Sequence, residues 1–207
     1  MYKLYYSTTK ISFYLLWALS LPIIMETPAI LKIWLGENVP EYTVVFTKLI
    51  LLISLVGVYA NPTSCIAYAT GKIKNFTIWV STINLMIIPI GYIFLRLGYN
   101  PESVLIINLL IAVLVQTVRL FVLKGMLVFS IRKYIIKVIL PTISVLILSS
   151  VLPLCLKLLL TTNTFITCIL VCLVSVVSIV IITWLVGLNR EEKNLLLSKL
   201  KLIKNNI

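Results

Sequence analysis

Apolar residues run in long blocks along this chain, and polar positions gather in the short gaps between them. Six blocks separate, at about residues 11–35, 41–70, 73–96, 102–129, 134–158 and 163–187. Each is long enough to cross a hydrocarbon core roughly 30 Å thick as a helix rising about 1.5 Å per residue. The gaps read as turns: "GENVP" at 36–40 and "LGYNP" at 97–101 are rich in Gly, Asn and Pro, and Gly71 closes the second block as a helix C-terminal breaker. The pattern predicts an all-α integral membrane protein of six transmembrane helices over 11–187, preceded by an interfacial segment at 1–10 and followed by a tail at 188–207.

Composition strengthens this picture. The 207 residues are 61% hydrophobic and 12% charged, with a mean hydropathy of +1.13, against roughly 45–50% apolar residues in ordinary soluble domains. The net charge of +12 does not indicate a nucleic-acid reader, because the basic residues fall between apolar runs rather than on a polar folded surface. The chain has no histidine and no aspartate, which removes the commonest zinc ligand and proton shuttle and most magnesium ligands. No cofactor or metal site is expected. Cys65, Cys155, Cys168 and Cys172 all lie in apolar runs without metal-ligand or redox spacing and read as small buried hydrophobes.

Charge sets an orientation. The N-terminus, the second and fourth connections with their flanks, and the tail hold 13 of the 18 basic residues, whereas the first and third connections carry Glu37, Glu41 and Glu102. Lysine and arginine are retained on the cytoplasmic side of short loops, so both termini are expected inside the cell. The tail pairs Asn189 with Glu192 three residues later, a capping-box pattern, and then interleaves Leu195, Leu196, Leu200 and Ile203 with lysines. It reads as an amphipathic helix on the anionic inner leaflet, with a coiled-coil or partner-binding role as the alternative. Tyr2, Tyr5, Tyr6, Phe13, Tyr14 and Trp17 read as an interfacial aromatic belt.

Polar side chains inside the blocks are the candidate functional groups, since each costs free energy unless it faces a partner, a cavity or water. In the fourth helix Asn108, Gln116 and Arg119 fall on one stripe, although Arg119 is also placed to snorkel toward the interface. The second helix repeats Thr47, Ser54, Gly57, Asn61 and Ser64, either a close-packing seam or a cavity wall. Asn61-Pro62 predicts a kink, Asn84 lies shortly before a second expected bend at Pro89 and Gly91, and Pro28 predicts a third in the first helix. The fifth and sixth helices carry only Ser, Thr and Cys at mid-span and read as peripheral. Glu26 and Lys48 fall at similar depth on adjacent antiparallel helices. Three readings stay open: a Glu26–Lys48 ion pair, a protonatable Glu26 coupled to an ion, or Lys48 as a ligand for an anionic head group.

The segments "ILKIWLG" at 30–36, "ATGKIKN" at 69–75 and "LGYNPE" at 97–102, within residues 11–125, resemble the C-terminal half of polysaccharide biosynthesis/export proteins. These are the O-antigen-type lipid-linked oligosaccharide flippases of the multidrug/oligosaccharidyl-lipid/polysaccharide exporter superfamily. The resemblance implies one partial lobe of a two-lobe transporter of 12 to 14 helices in the bacterial inner membrane, with these six corresponding to helices nine to fourteen. It implies alternating access, an undecaprenyl-pyrophosphate-linked repeat unit as cargo, and a coupling ion such as H+ or Na+. It also implies a truncated chain that needs a missing N-terminal lobe, a companion polypeptide or a homo-oligomer. A pyrophosphate needs cations to offset its charge, which Arg119 and Lys48 could supply, and flipping requires no covalent chemistry. The alternatives are a membrane enzyme acting on a polyprenyl-phosphate sugar carrier, for which no acidic metal-binding cluster is present, and a non-transporting membrane subunit.

Overall fold

The computed structural model describes residues 2–71, 73–127, 129–160 and 165–194, and these are helical with no strand among them. Six helices are long and apolar enough to cross a membrane: α1 (Tyr2–Leu35), α2 (Thr43–Ala69), α3 (Ile73–Arg96), α4 (Glu102–Met126), α5 (Ile131–Leu159) and α6 (Phe165–Gly187). They follow the six apolar blocks in order. Their 23 to 34 residues give lengths of about 35–51 Å at about 1.5 Å per residue, enough for a bilayer core of roughly 30 Å. Helix α1 starts at Tyr2 rather than near residue 11 because Tyr5, Thr9 and Lys10 are buried there and hold the first turns in place. Residues 190–194 are helical after α6, and the remainder of the expected amphipathic tail lies outside the described residues.

Glycines end α1, α2 and α3: Gly36, Gly71 and Gly98 take φ of 81°, 72° and 84°, left-handed values that cost a residue without Cβ nothing. Prolines set the bends. The kink expected at Asn61-Pro62 falls one turn earlier, at Val58–Tyr59, between the segments Thr43–Gly57 and Ala60–Ala69. Pro62 lacks the N–H that the Val58 carbonyl would accept, and its ring crowds that carbonyl. The bend expected around Pro89 falls at Met86 for the same reason, between Ile73–Leu85 and Ile87–Arg96. In α1, Pro28 cannot serve the Ile24 carbonyl; Glu26 leaves helical geometry (φ −112°, ψ 24°), and the Thr27 hydroxyl donates to the Ile23 and Ile24 carbonyls at 2.6 and 3.2 Å.

The six helices pack as two groups. Helices α1, α5 and α6 enclose Phe13, Tyr14, Trp17, Leu21, Val145 and Ile179, and α1 makes its most extensive contact with α6. Helices α2, α3 and α4 enclose Ile66, Phe76, Ile111 and Val115, with Tyr5 and Tyr134 closing that core at the N-terminal end. The groups meet where α2 contacts α5 and α1: the Tyr59 hydroxyl of α2 donates to Thr142 Oγ1 of α5 at 2.8 Å, and the Tyr5 hydroxyl of α1 and Thr63 hydroxyl of α2 share a hydrogen bond of 2.8 Å.

The fifth and sixth helices are therefore not peripheral. Their serines bond between helices as well as back to their own. Pro153 in α5 leaves the Ser149 carbonyl without its helical donor, and Ser178 Oγ of α6 donates to that carbonyl at 3.0 Å. Trp17 Nε1 of α1 donates to Ser149 Oγ at 2.9 Å, so one residue ties three helices. Ser178→Ala is expected to destabilise the protein by about 1 kcal/mol, the usual scale of an interhelical hydrogen bond in a membrane protein, read as a lower melting temperature in detergent micelles. The same change in a Pro153→Ala background should cost less, because the alanine N–H restores the helical bond to the Ser149 carbonyl. Equal losses in both backgrounds would show that Ser178 does not serve that carbonyl.

Candidate functional site

Glu26 lies at the kink of α1, buried, with its carboxylate 3.0 Å from Lys157 Nζ of α5. Lys157 also donates to the Met25 carbonyl, the backbone group next to the non-helical Glu26. One ammonium thus covers both the carboxylate and a carbonyl beside the kink. This corrects the expected pairing with Lys48, which is half-buried on α2 and not the ion-pair partner of Glu26. The cause is the kink: with Pro28 bending α1, Glu26 faces the α5–α6 side. Nine residues of α1 follow Glu26, whereas α5 ends two residues past Lys157, so α1 overhangs the end of α5 by roughly 10 Å.

The overhang leaves a cleft of about 690 Å³ lined by Glu26, Pro28, Lys32, Lys157, Phe165 and Cys168, among others. Its charged groups are two lysines and one carboxylate, so it is net positive. Lys32 stands exposed at the mouth, where a cation in the last turn also complements the helix dipole.

The predicted polar stripe of α4 is present, and its members differ in what they do. Gln116 Nε2 donates to the Tyr59 carbonyl at 3.3 Å, which also accepts from the Thr63 hydroxyl at 2.7 Å, next to the break in α2. Asn108 is half-buried on the same helix. Arg119 is half-buried, and its Nε has no hydrogen-bond acceptor among the described residues. Asn61 on α2 and Asn84 on α3 are exposed. The candidates therefore do not form one site: Glu26 belongs to the cleft beside α5, while Asn61, Asn84, Asn108, Gln116 and Arg119 belong to the α2–α3–α4 group.

A second buried charge pair lies at the N-terminal end of the bundle. Lys10 Nζ sits 2.6 Å from Glu192 Oε2, with the two side chains 1% and 8% exposed. Ser7 Oγ donates to Glu192 Oε1 at 2.7 Å, and the Asn189 N–H donates to Oε2 at 2.9 Å; the latter is the backbone half of the predicted capping box. Burial alone would raise the Glu192 carboxyl, but the Lys10, Ser7 and Asn189 hydrogen bonds outweigh it and hold the group below the ordinary glutamate range. The chain reaches this point through a π-helical turn, Thr183–Gly187. Its last carbonyl accepts from Tyr14 Oη at 3.1 Å, and the Tyr14 ring lies 2.9 Å from where a Cβ on Gly187 would stand, so only glycine fits without displacing the ring.

Sequence reasoning missed Lys157, Lys10, Ser149 and Ser178. One signal was available: Pro153 orphans the Ser149 carbonyl, which Ser178 of the neighbouring helix answers, whereas the Ile24 carbonyl that Pro28 orphans is answered by Thr27 of its own helix. Compared with known proteins, the chain matches no family model, no curated protein and no solved structure.

Proposed function

We propose that the chain is part of a transporter that flips undecaprenyl-pyrophosphate-linked oligosaccharide repeat units across the bacterial inner membrane, with both termini in the cytoplasm. In this reading the six helices are a partial lobe and act with a companion lobe or a second copy. The observation that carries it is Arg119, a guanidinium within an apolar span whose Nε is buried and has no acceptor among the described residues. Such a group is retained at a cost and serves an anionic partner or a hydrated path. Two features agree. The most apolar stretches of α2 and α3 are only 6% buried, against 39% for α1, so this is the side with surface left for another lobe. Exposed Asn61 and Asn84 lie on the same two helices, where amides facing lipid alone would be costly.

Under this reading Arg119 offsets pyrophosphate charge while the amides line the sugar path, and no bond is made or broken. The test is surface polysaccharide in a bacterium deprived of its own repeat-unit flippase and supplied with this chain and its companion lobe. Arg119→Ala should lower surface polymer about ten- to hundredfold at equal protein accumulation, the scale of one charge-assisted hydrogen bond, and Arg119→Lys should retain part of the activity. Full activity of Arg119→Ala would remove the reading.

A further inference from the structure

At the N-terminal end of the bundle, on the opposite end from the Glu26 cleft, the start of α1 and the start of α5 enclose a concavity of about 280 Å³. Three ammonium groups line it, Lys3, Lys133 and Lys137, together with the rings of Tyr2, Tyr6 and Phe129. Lys3 is engaged by Glu191 at 2.9 Å. Lys133 and Lys137 are exposed, four residues apart on one helix, and no acidic side chain lines the concavity among the described residues. Like charges at this spacing repel unless an anion lies between them.

We infer that this concavity binds the head group of an anionic phospholipid, specifically a diphosphatidylglycerol, with its two phosphates on Lys133 and Lys137. The charge count matches, since two uncompensated cations meet two phosphate charges. The rim identifies the source of the phosphate. Tyr2 and Phe129 have ring centroids 6.2 Å apart and, with Tyr6, offer apolar bodies to glycerol and acyl carbons, as aromatic residues do at a membrane boundary. A free phosphate ion would have no use for that surface. The volume suits a head group rather than a whole ligand, and a basic hollow between membrane helices is the form such lipid sites take. The inference requires only that the helices sit in a membrane and is independent of what the protein transports.

The test is lipid binding to the purified full chain, measured by native mass spectrometry from detergent with added diphosphatidylglycerol, phosphatidylcholine or inorganic phosphate. Lys133→Gln with Lys137→Gln should weaken diphosphatidylglycerol binding at least about tenfold, whereas Lys74→Gln with Lys124→Gln, exposed lysines outside the concavity, should change it less than about twofold. Lys133→Arg with Lys137→Arg should keep binding, which separates lost charge from a lost fold. Equal weakening by the two glutamine pairs means diffuse attraction to a positive face and overturns the site. Undiminished binding by the first pair overturns it too, as does displacement of the lipid by millimolar inorganic phosphate.

Discussion

Lys10→Met is expected to lower the unfolding temperature more than any other single charge removal in this chain, and Lys10→Met combined with Glu192→Leu to recover most of the loss. Lys10 and Glu192 are both almost wholly enclosed and lie 2.6 Å apart. Removing one partner of such a pair leaves a buried uncompensated charge, a cost of about 3–5 kcal/mol, whereas replacing both with apolar side chains is often nearly neutral. The pair also closes α6 and the following turn against the first turns of α1, together with Tyr14 on the Gly187 carbonyl. Thermal unfolding in detergent micelles, run as a double-mutant cycle, reads the coupling directly; additive losses would show that the two groups do not depend on each other.

The same site has a pH signature with a definite sign. The Glu192 carboxyl is held below its ordinary value, so its contribution is complete above the unfolded pKa of about 4.3 and is lost as pH falls through the lower folded value. In Lys10→Met the largest opposing influence is gone, burial raises the carboxyl, and the folded state then prefers the protonated acid. Acidification from neutral pH should therefore destabilise the parent chain in the low-pH range while destabilising Lys10→Met less, or stabilising it. Parallel pH profiles would place the pH dependence in some other group.

The number and order of the spanning helices were legible because long apolar runs leave the backbone few alternatives, and Gly36, Gly71 and Gly98 stand at the ends of three of them, whereas the start of α1 at Tyr2 was not legible. The prolines were legible as causes but displaced as positions, since the carbonyl a proline orphans lies four residues earlier: Pro62 orphans Val58 and α2 breaks at Val58–Tyr59, and Pro89 orphans Leu85 and α3 breaks next to it at Met86. What could not be read was which helices meet. Depth along a span follows from counting residues, and on that basis Lys48 and Glu26 were compatible. Direction around a helix axis beyond a kink is set by tertiary packing, and the bend at Glu26 turned that face toward α5 and α6. Ser149 shows the same limit, since its hydroxyl donates back to the Leu146 carbonyl within α5, as expected, but also accepts from Trp17 of α1.

Lys157→Met should destabilise the protein by about 1–3 kcal/mol, and Glu26→Gln by less, with Lys48→Met near neutral. Glu26 is 10% exposed and Lys157 40%, so the lysine is partly screened and the full penalty of a wholly buried pair does not apply. The asymmetry between partners follows from the geometry. Lys157 serves two acceptors, the Glu26 carboxylate and the Met25 carbonyl, and its loss strands both beside the Pro28 bend. Glu26→Gln leaves Lys157 on the carbonyl and puts a neutral amide where the carboxylate was. In a double-mutant cycle Glu26 and Lys157 should be non-additive by about 1 kcal/mol or more, whereas Glu26 and Lys48 should add within about 0.5 kcal/mol. Coupling to Lys48 instead would mean that α1 presents Glu26 to α2. Because the pair sits at the base of the Lys32 cleft, Lys157→Met should also raise the rate at which a polar thiol reagent labels Cys168, which lines that cleft and is buried in the intact protein. Loosening the kink opens the wall the cysteine stands in, whereas a lysine that merely snorkelled to the surface would leave the labelling rate where it was.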